Sequence, residues 1–85
     1  MNMAHKLKVG ETFHRDDYSI KITDIRDIVE LDGSEVIRIG TEIYVDDMLL
    51  MVHGFKVKAV PDRKHFTLYA DKWVPQTIAN FMRNN

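Results

Sequence analysis

Residues Lys8–Thr41 read KVGETFHRDDYSIKITDIRDIVELDGSEVIRIGT, and this stretch decides the fold. Near its centre Asp32-Gly33 separates two runs of alternating apolar residues. Asp-Gly between such runs is a strong hairpin signal, because a type I′ turn needs positive φ at both central residues. On the first run Tyr18, Ile20 and Ile22 share one parity, against Ser19, Lys21 and Thr23. That is the period of a strand with one face buried. The phase then slips to Ile25, Val29 and Leu31, which an extra residue in a β-bulge near Thr23-Asp24 explains. On the second run Ile37, Ile39, Ile43 and Val45 alternate with Arg38, Glu42 and Tyr44, and Gly40 marks a bend or a close backbone approach.

Outward from this hairpin the chain offers more strand. Lys6–Val9 and Thr12–His14 are short candidates separated by a Gly10-Glu11 turn, and Asp16-Asp17 turns the chain again. Asp46-Asp47 is a further turn. Beyond it Leu49, Met51, Phe55, Val57 and Ala59 share a parity opposite Lys56 and Lys58. Val60-Pro61-Asp62-Arg63 is a turn with proline at its second position. Residues His65–Ala70 alternate once more, with Phe66, Leu68 and Ala70 on one side. The period then changes: Val74, Ile78, Phe81 and Met82 form a helical stripe, and Pro75 suits a first helical turn. These patterns predict one mainly β domain over residues 1–85. Its expected form is a five- or six-stranded antiparallel sheet or half-open barrel, with one C-terminal helix at about 74–83 and Trp73 as its anchor.

The composition narrows the function. A chain of 85 residues with 45% hydrophobic content supports one small core. It has no cysteine, which excludes disulfides and thiolate zinc sites. No apolar run has signal-peptide or membrane-spanning length, so the expected setting is cytoplasmic, away from membranes. Charge is unevenly spread. Residues 15–47 carry ten acids against four bases, whereas residues 48–85 carry six bases against two acids. The four histidines, His5, His14, His53 and His65, lack metal-ligand spacing, and Ser19 and Ser34 lie in no nucleophile motif. A histidine-pair ribonuclease built on His53 and His65 has no support from spacing. No metal, cofactor or catalytic activity is expected.

The basic stretch His53–Lys58, followed by Arg63–Tyr69, carries the functional expectation. Paired as a hairpin, these residues put Lys56, Lys58, Lys64 and His65 on one surface with Tyr69. Cations beside an aromatic on a sheet suit single-stranded RNA, where phosphates meet charge and bases stack on rings. The expected site is Lys56, Lys58, Arg63, Lys64 and Tyr69, joined by Lys6 and Lys8. Lysines guarding a sheet edge produce the same pattern. The acidic stretch around Asp27, Glu30, Asp32 and Glu35 gives an alternative: a small phage-type inhibitor or antitoxin that docks on a nucleic-acid-handling enzyme.

Lys8-Val9-Gly10-Glu11-Thr12, then Asp16-Asp17, Ile20-Lys21-Ile22-Thr23 and Val36-Ile37-Arg38-Ile39-Gly40 resemble the carbon storage regulator family in this order. The resemblance covers residues 8–41. It implies a β-rich RNA-binding translational regulator, usually an intertwined homodimer, that recognises GGA-containing loops. Leu7 and Gly54 stand where the family reads RNA with arginine. The carry-over is therefore fold and RNA binding, without the family's contacts.

Overall fold

The computed structural model describes residues 6–83. Four strands, β1 (Thr12–His14), β2 (Ser19–Val29), β3 (Glu35–Val45) and β4 (Met48–Val57), precede one helix, α1 (Arg63–Arg83). The strands form an antiparallel meander in the order β1-β2-β3-β4. The hairpins follow from local chemistry. Between β3 and β4, Asp46 and Asp47 hold φ of 53° and 62°, and Val45 pairs with Met48. That is the two-residue loop whose twist matches paired strands. Between β2 and β3 the loop differs from the type I′ turn that the Asp-Gly pair predicts. Only Gly33 has positive φ (89°), while the Gly33 amide bonds the Glu30 carbonyl and the Glu30 amide bonds the Ser34 carbonyl. Asp32 instead accepts from the Ser34 amide and hydroxyl at 2.9 and 2.6 Å. Asp32 thereby stabilises the loop with its side chain and needs no left-handed backbone.

The phase slip in β2 is a bulge, with the register shifting between Ile22 and Asp24. Because of it, Ile20, Ile22 and Ile25 all reach the same face despite their odd spacing. Opposite them stand Ile43, Thr41 and Ile39 of β3. This face carries the core: Ile20, Ile22, Ile39 and Ile43 are buried against Phe66, Ala70 and Val74 of α1. Phe55 of β4 sits in an aromatic cluster, with ring centroids 5.5 Å from Phe66, 5.2 Å from Tyr69 and 4.4 Å from Trp73. Full burial of a side chain such as Phe66 contributes about 1.5–3 kcal/mol. The buried Thr41 hydroxyl donates to the His53 carbonyl at 2.7 Å, which removes its desolvation cost.

Several expectations need correction. Residues His65–Ala70 are helix, and α1 starts eleven residues before the predicted Val74. Asp62 caps it, accepting from the His65 amide at 2.8 Å. Phe66, Ala70 and Val74 then fall on one buried stripe at i, i+4, i+8, while Leu68 is exposed. The alternation of Phe66, Leu68 and Ala70 imitated a strand because a short apolar run fits both periods. Pro75 lies inside the helix, on its exposed side, and deprives the Asp71 carbonyl of a partner. Trp73 belongs to the helix. Lys6–Val9 makes only a single bridge, Lys6 with Asp62. Among the described residues the sheet therefore has four strands, open rather than barrel-like, and its second face has no covering layer.

Candidate nucleic-acid interface

The uncovered face is built by the residues that alternate with the core. Arg38 of β3 stands directly opposite Arg26 of β2 and Lys56 of β4. Three cations thus lie in one row across three strands, on backbones spaced about 4.8 Å apart. Like charges directly opposite each other destabilise a sheet, so the row needs compensation. Its two ends have it. Arg26 Nε bonds Asp24 Oδ2 at 2.8 Å, and Lys56 Nζ bonds Glu30 Oε2 at 3.0 Å. Arg38, in the middle, has no ion pair among the described residues.

Beside the row lies a second one with little side chain: Asp24, Gly40 and Gly54. The Arg38 guanidinium folds into the space left by Gly54. A Cβ there would meet Arg38 Nη2 at 2.7 Å and Cζ at 2.9 Å. Gly40 admits the bulge, since its Cβ would stand 3.1 Å from Asp24 Cβ. The two glycines therefore form a floor on which one flat, half-exposed guanidinium rests. Further along the face, Lys21 is opposite Glu42, and the Tyr44 hydroxyl donates to Glu42 Oε1 at 2.8 Å. A guanidinium held flat offers a charge to a phosphate and a plane to a base.

The residues expected to form one site are divided between sites. Lys56 belongs to the row. Lys58 is exposed just beyond the end of β4. Tyr69 sits on α1, packed against Phe55 on the opposite side of the sheet. Lys64 is exposed on the same helix, so it cannot share a surface with Lys56. Arg63, at the helix start, bonds Glu11 Oε2 at 3.0 Å and lies over the Phe13 ring. Lys6 bridges to Asp62, and the Lys8 amide donates to Glu11. Of these four, only Arg63 has an ion pair among the described residues; the contacts of Lys6 and Lys8 are made by their backbones, and Lys64 stands exposed in the first turn of α1. The single lysine-tyrosine surface required a strand at residues 65–70, and that segment is helical. Arg26 and Arg38 were missed.

Two other polar features are structural. Asp71 of α1 accepts from Arg15 Nε at 3.0 Å and from the Tyr18 hydroxyl at 2.8 Å, joining the helix to the β1–β2 turn. The Arg15 guanidinium, with Tyr18, holds the Asp71 carboxyl below its usual range. Burial and the Asp71 bond push the Tyr18 hydroxyl well above the usual phenol range. Of the two histidines, His53 packs against Trp73 with the rings tilted by 48° and their centroids 4.5 Å apart, while His65 bonds Asp62 through Nδ1 at 2.7 Å. An apolar cavity of about 230 Å³ lies between β4 and the start of α1, with His65 and Tyr69 among its walls. No group of metal-ligating side chains is present among the described residues, and no described helix is long and apolar enough to cross a membrane. Compared with family models, curated proteins and solved structures, the chain matches none.

Proposed function

We propose that the protein is a small RNA-binding regulator that holds single-stranded RNA on its uncovered sheet face. The reading rests on one observation: a row of Arg26, Arg38 and Lys56 whose central guanidinium has no acidic partner among the described residues and lies on a glycine floor. A phosphate over Arg38 supplies the missing counter-charge, and a base beside it can stack on the guanidinium or on Tyr44. Lys21 and Lys58 extend the charge along and beyond the strands. The protein performs no catalysis in this reading. The motifs in residues 8–41 that resemble carbon storage regulators point the same way.

The test is fluorescence anisotropy with a labelled mixed-sequence single-stranded RNA across a salt series. Each phosphate contact contributes a slope of about −0.7 to log K against log salt. Arg38→Gln should remove about one such unit and weaken binding roughly tenfold or more, as expected for a charge-assisted contact. Lys64→Gln, on the helix side, should leave both unchanged. Equal losses from both variants, or none from Arg38→Gln, overturn the proposal.

A second reading, a protein-binding inhibitor of a nucleic-acid-handling enzyme, is favoured by a different feature. The tip of the β2–β3 hairpin carries a fully exposed Leu31 beside Glu30 and Asp32. An apolar anchor ringed by acids suits a basic protein surface. Pull-down from lysate with and without nuclease separates the two readings. A protein partner that survives nuclease and is lost with Leu31→Ser favours the inhibitor.

A further inference from the structure

The two edges of the sheet are managed differently. β1 is three residues long, which leaves little to pair with. β4 is ten residues long, lacks proline, and carries its one charged residue, Lys56, near its end. Met48, Leu49 and Val52 on it are 71%, 52% and 66% exposed. Its guards are Lys56 near one end and a bulge at Leu50 near the other, and the stretch between them is open to another strand. The distribution of charge along it indicates which strand. Asp46 and Asp47 precede β4, and Lys56 and Lys58 close it. Val52 lies midway between Asp46 and Lys58.

We infer that β4 pairs antiparallel with β4 of a second copy of this chain, about a two-fold axis at Val52. In that register Asp46 of each copy falls opposite Lys58 of the other, and Asp47 falls opposite Val57, between Lys56 and Lys58, so acids and lysines meet at both ends of the pair. A parallel pairing, or one shifted by several residues, sets like charges together or leaves them without a partner. The product is a closed dimer with an eight-stranded sheet, because β4 is consumed and only the short β1 strands remain at the edges. The bulge between Leu49 and Leu50 ends the regular ladder on each side, so the central pairing spans residues 50–54.

A two-fold axis perpendicular to the sheet keeps both helices on one side and both uncovered faces on the other. The two rows of Arg26, Arg38 and Lys56 then share one surface, displaced by about 25 Å along the strands. The pairing itself does not depend on RNA binding and is tested without it.

The chain has no cysteine, so a single one reports its own neighbours. Residues directly opposite across an antiparallel pair have Cα atoms about 4.5–5.5 Å apart, inside the range a disulfide accepts. Val52→Cys should form a disulfide-linked dimer on mild oxidation, and Met82→Cys, equally exposed at the far end of α1, should not. Light scattering on the wild-type chain should give the dimer mass. Val52→Lys should move the dissociation midpoint about tenfold or more to higher concentration, with an unchanged circular dichroism spectrum. A wild-type chain that stays monomeric at millimolar concentration overturns the inference. So does a dimer indifferent to Val52→Lys, or cross-linking as fast through Met82→Cys as through Val52→Cys.

Discussion

Gly40 and Gly54 face each other across β3 and β4, yet an added methyl group should have opposite effects at the two. At Gly54 the new Cβ would lie 2.7–2.9 Å from the Arg38 guanidinium. That group ends a flexible side chain on an open face, so it can lift away. Removing a glycine from a strand interior recovers about 0.5–1 kcal/mol. Lost arginine packing offsets part of this, leaving Gly54→Ala between neutral and about 0.5 kcal/mol more stable. At Gly40 the neighbours are Asp24 Cβ at 3.1 Å and Thr23 Oγ1 at 3.2 Å. Asp24 Cβ is fixed to the bulged backbone of β2 and moves only with it. Crowding of this kind costs about 1–3 kcal/mol, so the net loss after the glycine gain is about 0.5–2 kcal/mol. For a domain of this size each kcal/mol shifts Tm by roughly 4–8 °C. Thermal unfolding followed by circular dichroism should therefore lower Tm for Gly40→Ala and leave it level or slightly higher for Gly54→Ala. In an Arg38→Ala background Gly54→Ala should stabilise further, because nothing remains to be displaced. A greater loss from Gly54→Ala than from Gly40→Ala would refute the assignment of Arg38 to the glycine floor.

Phe66→Ala removes a ring that is 2% exposed and packed between Phe13 and Phe55. The expected cost, about 3–5 kcal/mol, rivals the whole stability of a small domain, so urea unfolding should lose most of its native baseline. Asp71 is held below its usual pKa, so it binds a proton less readily folded than unfolded. Its contribution is complete above the ordinary carboxylate range, near pH 4, and is lost as pH falls through its depressed value. Tyr18 is shifted upward, so its contribution is lost above the ordinary phenol range, near pH 10. Asp71→Asn should flatten the decline of the urea midpoint below pH 4, and a decline as steep as the wild type's would contradict the pairing. Asp47→Gly relieves an L residue at φ 62°, and should raise stability by about 0.5 kcal/mol in the same urea assay.

Local chemistry was legible where it operates within a few residues. The bulge at Thr23-Asp24 is written in the slipped phase of Ile22 and Ile25, and both long hairpins are marked by their acidic turns. The type of turn was not legible at Asp32-Gly33, because an aspartate can hold a loop with its side chain as well as with a left-handed backbone. The helix start was misread because Phe66, Leu68 and Ala70 fit two periods, and Pro75 marks a helix start only by frequency. Asp62 as a cap, with Phe66, Ala70 and Val74 at four-residue spacing, was the available signal for an earlier start.

The candidate face divides along the same line. Counting outward from a two-residue Asp32-Gly33 turn pairs Arg26 with Ile39, whereas the observed three-residue loop, 31–33, moves the register by one and sets Arg26 opposite Arg38. Counting outward from Asp46-Asp47 pairs Arg38 with Phe55, not with Lys56. The missing residue is the bulge at Leu49-Leu50, in a run of five apolar side chains, Met48–Val52, where the phase leaves no trace. Alternation along the chain thus determined two long strands and their buried parity on its own. Only the folded sheet decided that three cations from three strands stand in line. Cross-strand register accumulates every bulge between the turn and the pair, and a uniform apolar run conceals a bulge from the sequence.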